Sequence, residues 1–149
     1  MKPMSLVSAC LLGIDCRYDG RNSISGKVLR LIGKEILIPV CPEQLGGLAT
    51  PREPMRVIGG GGSEVLDGKA KVINRIGEDV SRNLIKGAEE TLKIARSLGV
   101  RRAIFKSRSP SCGCGEIYDE ASLRIVRGDG VVTALLKRNG VEVITEEDL

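Results

Sequence analysis

The stretch Glu78–Lys106, EDVSRNLIKGAEETLKIARSLGVRRAIFK, decides the fold class because it places an amphipathic helix directly before a buried strand. Apolar residues recur at helical spacing along its first part, namely Val80, Leu84, Ala88, Leu92 and Ala95. This spacing predicts one apolar helix face, acidic residues stand early, and Gly99 is the predicted stop. The apolar run VRRAIFK that follows predicts a strand buried in a sheet.

The same alternation of strand and helix extends to both sides of this stretch. SLVSACLL (Ser5–Leu12) and EILIPV (Glu35–Val40) predict two strands, and KVLRLIGK (Lys27–Lys34) predicts a short helix between them. GVVTALLKRNG (Gly130–Gly140) predicts a second long helix before a last strand, VEVIT (Val141–Thr145). Strands that alternate with helices predict an α/β fold, with a mostly parallel, Rossmann-like central sheet and helices on both faces.

The middle of the chain departs from this alternation. MRVIGGGGSEVLDGKAKVIN (Met55–Asn74) predicts two strands around a glycine-rich turn, with a second turn at Asp67-Gly68, and therefore a β-hairpin insertion. Its GGGGS (Gly59–Ser63) lacks the G-x-x-x-x-G-K-[ST] pattern of a phosphate loop, so we expect a mobile hairpin tip. CPEQLGGLATPREP (Cys41–Pro54) is rich in proline and glycine and is expected to be irregular. We expect one domain over residues 1–149.

Composition and charge narrow the class of protein. The chain has 149 residues, of which 42% are hydrophobic and 28% charged, as in ordinary globular proteins. No stretch approaches the ~20 apolar residues of a membrane span, and the first residues do not resemble a secretory signal. These features predict a cytoplasmic protein without a membrane partner. The net charge of +4 is too small to imply nucleic acid as a partner.

Two residue types are absent or rare. The chain has no histidine, which excludes Ser-His-Asp and Cys-His catalysis and histidine-ligated zinc. Its aromatic residues are Phe105, Tyr18 and Tyr118 alone. Proteins that bind single-stranded nucleic acids stack the bases on several exposed rings, so the composition argues against a nucleic-acid partner. Both tyrosines precede an aspartate and are expected to close loops rather than to contact a substrate.

Three of the five cysteines follow predicted parallel strands. Cys10 lies at the end of the first strand, Cys41 directly after the second, and Cys112 in the loop after AIFK. Parallel α/β sheets bind ligands outside the carboxyl ends of their strands, so these thiols are expected to meet at one edge and to bind a metal. Cys16 and Cys114 receive no assigned role.

The spacing of these cysteines favours an iron–sulfur cluster over structural zinc. Zinc sites usually contain paired C-x₂-C ligands, whereas Cys112 and Cys114 form C-x-C and histidine cannot complete the site. Three single thiolates fit a cluster that keeps one iron free for another ligand. The alternative is a non-catalytic metal-binding or RNA-associated module, whose cysteines bind zinc or a structural cluster.

Several motifs together resemble the thiouracil desulfidase family. SACLLG, CRYDG, PVCPEQLGGLATPREP, KSRSPSCG and IYD follow one another in the family's order and extend over nearly the whole chain. The resemblance implies an α/β fold and a [4Fe–4S] cluster held by three cysteines. It also implies non-redox hydrolysis of the C=S bond of a small thiolated pyrimidine such as thiouracil, with release of sulfide and uracil. The expected protein is therefore a hydrolase or lyase.

Matching the motifs residue by residue gives the expected site. The cluster ligands fall on Cys10, Cys41 and Cys112, and the catalytic residues fall on Glu43 and Ser109. Glu43 would activate water, and Ser109 would hydrogen-bond the pyrimidine or pass on a proton.

The sequence adds three candidate substrate-binding residues. Arg52 lies on a stiff loop between Pro51 and Pro54, Gly47 permits close approach of the backbone, and Lys106 lies at a strand end. Ser111, the second serine of SPSC, is expected to serve the turn alone.

Overall fold

The structure is a computed structural model that describes residues 1–119 and 123–149. Four strands form one parallel sheet in the order β2-β1-β5-β8, and the other strands form two antiparallel pairs, β3–β4 and β6–β7. The predicted α/β class, with its parallel central sheet and its hairpin insertion, is confirmed. The strands are β1 (Met4–Ser8), β2 (Ile36–Val40), β3 (Met55–Ile58), β4 (Lys71–Asn74), β5 (Arg102–Phe105), β6 (Glu116–Asp119), β7 (Arg124–Arg127) and β8 (Glu142–Thr145).

Five α-helices accompany these strands in the described residues. Two of them, α4 and α5, pack on each other and cover one face of the sheet. No helix in the described part of the chain has the length and apolar character needed to cross a membrane. The helices are α1 (Gly26–Leu29), α2 (Pro42–Leu45), α3 (Gly62–Leu66), α4 (Ser81–Leu98) and α5 (Val131–Arg138).

The predicted long helix and the strand after it are confirmed. Leu84, Ala88, Leu92 and Ala95 of α4 are buried, and the helix ends at Gly99 in the left-handed conformation, with φ of 68°. β5 is buried at Ala103–Phe105 because helices or loops cover both sheet faces, as its continuous apolar sequence indicates.

The opposite face of the sheet has a thinner cover. Leu11, Cys16 and Val28 pack there on Val7 of β1 and Ile104 of β5. Among the described residues, the helical elements that contribute to this cluster are the short α1 and a 3₁₀-helix. Both faces are therefore covered, as predicted, but most of the helical mass lies on one.

The first strand is shorter than predicted. It ends at Ser8, and a 3₁₀-helix over Ala9–Leu12 carries Cys10. The carbonyl of Cys10 accepts a hydrogen bond from the N–H of Ser23 instead of continuing a strand ladder. Cys10 is therefore held on a tight turn just beyond the sheet edge.

The glycine-rich segment is not the mobile tip that the sequence predicted. Gly62 begins α3, and both Gly61 and Gly62 are buried. An added Cβ at Gly62 would collide with the backbone of Gly130, so the two segments pack with no room for a side chain. The second predicted turn, at Asp67 and Gly68, is exposed and lies directly before β4.

The segment predicted to be irregular contains the short helix α2, with Pro42 at its first position. α2 lies against α4 at two glycines, where an added Cβ at Gly87 would collide with the carbonyl of Pro42, and one at Gly46 with that of Asn83. Backbone contact with the long helix thus fixes the position of α2, which carries Glu43. The β6–β7 pair was not predicted.

Candidate active site

A cavity of about 270 Å³ opens at the carboxyl edge of the parallel sheet. Cys10, Cys41 and Cys112 all line it, although they follow three different strands. The predicted convergence of these thiols at one edge is confirmed. Cys10 and Cys112 are buried, and Cys41 is partly buried at the N-cap of α2.

The thiol of Cys16 is a fourth thiol in the same cavity, although no role was predicted for it from the sequence. It is buried, and the thiol of Cys41 donates to its carbonyl at 3.7 Å. A hydrogen bond with Cys10, together with burial, raises the pKa of Cys16 to about 11 against the opposing effect of Cys41. Its motif, CRYDG, was the signal that could have placed it in the site.

The thiols of Cys112 and Cys41 lose their protons less readily than ordinary thiols. Burial raises the pKa of Cys112 to about 12, although hydrogen bonds with Ser8 and Ser111 oppose this effect. The hydrogen bond with Cys16, followed by burial, raises the pKa of Cys41 strongly. Binding of a metal as thiolates would therefore release protons.

The thiol donors fit a cluster better than a single ion. Among residues 1–119 and 123–149, no group of three or more Cys, Asp or Glu side chains could hold one metal ion. A single zinc draws its thiolates to about 2.3 Å from one point. An iron–sulfur cluster is larger and binds each thiolate through a different iron, so it suits thiols distributed around a cavity. The assignment of Cys10, Cys41 and Cys112 as its ligands stays a prediction.

Glu43 is a buried carboxylate in the wall of the cavity. Its Oε1 accepts a hydrogen bond from Arg52 Nε at 2.8 Å, and its Oε2 accepts one from Ser111 Oγ at 2.7 Å. Burial of a charge is tolerated when partners of this kind compensate it. Both oxygens of Glu43 therefore have fixed positions.

Arg52 joins three parts of the site. Besides the ion pair with Glu43, its Nη2 donates to the carbonyl of Cys16 at 2.9 Å, and its Nη1 donates to Thr50 Oγ1 and to the carbonyl of Ala49. The sequence predicted a substrate contact for Arg52, and the side chain does line the cavity. These four hydrogen bonds within the protein, however, indicate that it holds the site together.

The two serines of SPSC lie side by side. Ser109 Oγ accepts hydrogen bonds from the N–H groups of Ser111 at 3.2 Å and Cys112 at 3.1 Å. The two hydroxyl oxygens are 3.0 Å apart. Ser111 is thus the direct partner of both predicted catalytic residues, although the sequence predicted only a structural role for it in the turn. Its contact with Glu43 spans 68 residues, so no local pattern could have shown it.

Lys106 lines the cavity and is paired with Glu146. Its Nζ lies 3.2 Å from Glu146 Oε2 and 3.1 Å from Ser107 Oγ. Burial alone would raise the pKa of Glu146, but the N–H of Ser107, the charge of Lys106 and the Ser107 hydroxyl together lower it. A substrate contact through Lys106 stays a prediction.

Gly47 is not among the described residues that line the cavity. It follows α2 with φ of +91°, and its N–H donates to the carbonyl of Gln44 at 2.9 Å. This left-handed conformation explains the glycine without a ligand. The predicted substrate contact at Gly47 finds no support in this position.

Two of the three aromatic residues of the chain, Tyr18 and Tyr118, line the cavity, whereas Phe105 is in the core. The guanidinium carbon of Arg17 lies 5.6 Å from the centroid of the Tyr18 ring. From the sequence, both tyrosines were predicted to close loops and not to contact a substrate. Because the chain has so few aromatic residues, these two tyrosines could have been chosen from the sequence as candidates for the site.

Cys114 is not among the described residues that line the cavity. Its thiol donates to the carbonyl of Val143 at 3.5 Å, and its side chain packs against the main core cluster. This position accounts for a second cysteine so close to Cys112 without a ligand role.

Comparisons with known proteins show the family of the chain. The model of the 2-thiouracil desulfurase family matches residues 6–148. YbbK of Bacillus subtilis (strain 168), an uncharacterized protein, is 46% identical over 147 residues, which cover 98% of this chain and 97% of YbbK. The solved structure of the [4Fe-4S]-dependent thiouracil desulfidase TudS is 38% identical and superposes with a TM-score of 0.86, over 99% of this chain and 93% of TudS. The resemblance noted in the sequence motifs is confirmed, and the chain belongs to the 2-thiouracil desulfurase family.

Proposed function

We propose that this protein hydrolyses the C=S bond of a thiolated pyrimidine such as 2-thiouracil and releases sulfide and uracil. The observation that carries the proposal is the meeting of Cys10, Cys41 and Cys112 with the buried carboxylate of Glu43 in one cavity. The family of the chain and the activity in the name of TudS support the same reaction.

The three thiols would hold a [4Fe–4S] cluster after losing their protons. When bound, the cluster supplies an iron with high affinity for the sulfur of the substrate. The overall change is not a redox reaction, because the oxygen of water replaces sulfur at a carbon that keeps its oxidation state. The chain then has to supply a proton acceptor for water and a surface for the ring.

Glu43 is the proposed proton acceptor. Its carboxylate is held from both sides by Arg52 and Ser111, so its free lone pairs point in fixed directions. The chain has no histidine to take this role. A positioned base typically contributes ~10²–10⁴-fold to the rate. Ser109, whose hydroxyl connects to Glu43 through Ser111, is proposed to act with it.

Tyr18 and Tyr118 are proposed to give the ring its apolar surface. A pyrimidine is flat, and aromatic side chains favour stacked or edge contacts with flat rings. Lys106, at the same cavity, is proposed to stabilise negative charge that develops on the ring during attack by water.

The decisive experiment is anaerobic reconstitution with iron and sulfide, followed by measurement of sulfide and uracil release from a panel of thiopyrimidines. We expect a brown protein with about four irons per chain and stoichiometric release of both products. Cys10→Ser should lose the iron and the activity, and Cys114→Ser serves as the matched control that keeps both. Protein that binds zinc in place of iron would favour the non-catalytic module. A fully loaded cluster with no release from any thiopyrimidine would refute the proposed reaction.

A further inference from the structure

A buried hydrogen-bond network joins two distant segments at the cavity. It consists of Ser109, Ser111 and Glu43, with 3.0 Å between the two hydroxyl oxygens and 2.7 Å from Ser111 Oγ to Glu43 Oε2. Ser111 is only 1% exposed. The network is therefore closed to solvent at its middle residue, and its hydrogen bonds have few competitors.

The direction of each hydrogen bond follows from the number of protons available. A serine hydroxyl has one proton and two lone pairs, and an ionised glutamate only accepts. Ser111 must therefore give its proton to Glu43, because the 3.7 Å contact with the sulfur of Cys112 is a much weaker alternative. The contact between the serines must then use the proton of Ser109.

This assignment fills the hydrogen-bonding capacity of Ser109. Its lone pairs accept the N–H groups of Ser111 and Cys112, and its proton points to Ser111 Oγ. In this arrangement Ser109 has no donor left for a substrate. The Ser111 hydroxyl decides where the Ser109 proton points, and it also supplies one of the two donors that fix Glu43.

We propose that Ser111 is a positioning residue of the desulfuration reaction, which acts by fixing Glu43 Oε2 and orienting the hydroxyl of Ser109. This inference rests on the proposed function and goes beyond it, since Ser111 contacts neither substrate nor cluster in this role. Among the described residues, loss of its hydroxyl leaves Glu43 with Arg52 as its remaining side-chain partner, and it lets the Ser109 hydroxyl rotate. The expected cost is in turnover rather than in substrate affinity.

The test compares Ser111→Ala, Ser111→Thr and Ser109→Ala, each reconstituted anaerobically and assayed with the thiopyrimidine that the wild type turns over fastest. We expect Ser111→Ala to keep its iron and its KM within about twofold, and to lose about 10- to 100-fold in kcat, as misplaced catalytic groups do. Ser111→Thr keeps a hydroxyl and should recover most of the turnover.

Two further measurements separate positioning from a general loss of structure. The Ser109→Ala/Ser111→Ala double variant should lose no more turnover than the worse single variant, because both changes break one network. Thr91→Val removes another buried hydroxyl, which donates to the carbonyl of Gly87 at 2.7 Å within α4. Thermal unfolding of the cluster-free proteins should show a similar loss in Thr91→Val and Ser111→Ala, while only the latter loses turnover.

Each result decides the inference. Unchanged kcat in a loaded Ser111→Ala protein, additive losses in the double variant, or an equal loss in Ser111→Thr would overturn it. Loss of iron in Ser111→Ala would also overturn it, by assigning Ser111 to cluster binding. If Ser111→Ala does not fold, the other two variants decide. High turnover in Ser111→Thr, together with a loss of about 10- to 100-fold in Ser109→Ala, would support the network. Normal turnover in Ser109→Ala would refute it. A wild-type protein that is loaded but inactive would instead refute the proposed function itself.

Discussion

Replacement of Arg52 by methionine should destabilise the fold more than it weakens substrate binding. The guanidinium forms an ion pair with Glu43 at 2.8 Å, and the two side chains are only 8% and 11% exposed. It also donates to the carbonyls of Cys16 and Ala49 and to the hydroxyl of Thr50. Methionine keeps much of the length of the side chain but provides none of these donors.

The magnitude follows from the burial of the partner. Removal of one member of a buried ion pair leaves an uncompensated charge and typically costs about 3–5 kcal/mol. In a chain of 149 residues, each kcal/mol lowers Tm by about 2–4 °C, so the expected fall is about 6–20 °C. An exposed pair is worth at most about 1 kcal/mol. Arg17, whose pair with Asp19 is 30% and 32% exposed, provides a more exposed arginine as the control, although it also donates to Ser23 Oγ at 2.6 Å and lies over the Tyr18 ring.

Thermal unfolding of cluster-free Arg52→Met and Arg17→Met proteins, monitored by circular dichroism, measures the difference. We expect a large fall in Tm for Arg52→Met and a fall within about 4 °C for Arg17→Met. Arg52→Lys keeps the charge but not the fork of donors, and should lie between the wild type and Arg52→Met. An Arg52→Met protein of wild-type stability with a raised KM would refute this reasoning and restore the substrate contact predicted from the sequence.

Three further results are expected. Glu43→Gln should keep its iron but lose ~10²–10⁴-fold in turnover, because glutamine cannot accept a proton from water. Near wild-type turnover in a protein that contains its iron would remove Glu43 from the mechanism. Cys112→Ser should lose both iron and activity, whereas Cys114→Ser should keep both, and equal losses would show that the wrong thiol was chosen. Glu146 has a lowered pKa in the folded state, so its contribution to stability is present above the ordinary value of 4.5 and is lost as pH falls through the lower folded value. Urea unfolding below pH 4.5 should therefore show a smaller acid-induced loss in Glu146→Gln than in the wild type, and parallel losses would contradict this.

The position of the site could be predicted from the sequence because it depends on the fold and not on side-chain detail. Apolar residues at helical spacing before AIFK, together with the apolar strand segments on both sides, indicate strands that alternate with helices and are therefore parallel. The carboxyl ends of parallel strands share one edge of the sheet. Cys10, Cys41 and Cys112 each follow a strand of that sheet, so their convergence needs only the strand order. The exact end of β1 was missed because loop hydrogen bonds, such as that from Ser23 to Cys10, stop the strand early.

The contacts within the site could not be predicted, because they join residues that are far apart in sequence. Ser111 and Glu43 are separated by 68 positions, and Arg52 and Cys16 by 36. Their hydrogen bonds depend on how α2 lies against α4, which is set by the absence of side chains at Gly46 and Gly87. Composition and periodicity contain no signal for such a contact, so Ser111 was assigned to a turn and Arg52 to the substrate.

These contacts leave fewer charged side chains of the cavity free to recognise the proposed substrate. A buried Glu43 has to be compensated, and this requirement occupies Arg52 and Ser111. Lys106 is likewise paired, with Glu146. The charged groups of the wall thus mainly serve one another, and we propose that Tyr18, Tyr118 and the affinity of a cluster iron for sulfur select the substrate. On this proposal, the site would select for a flat ring that carries sulfur, and it would depend less on charged substituents than a cavity whose cations are free.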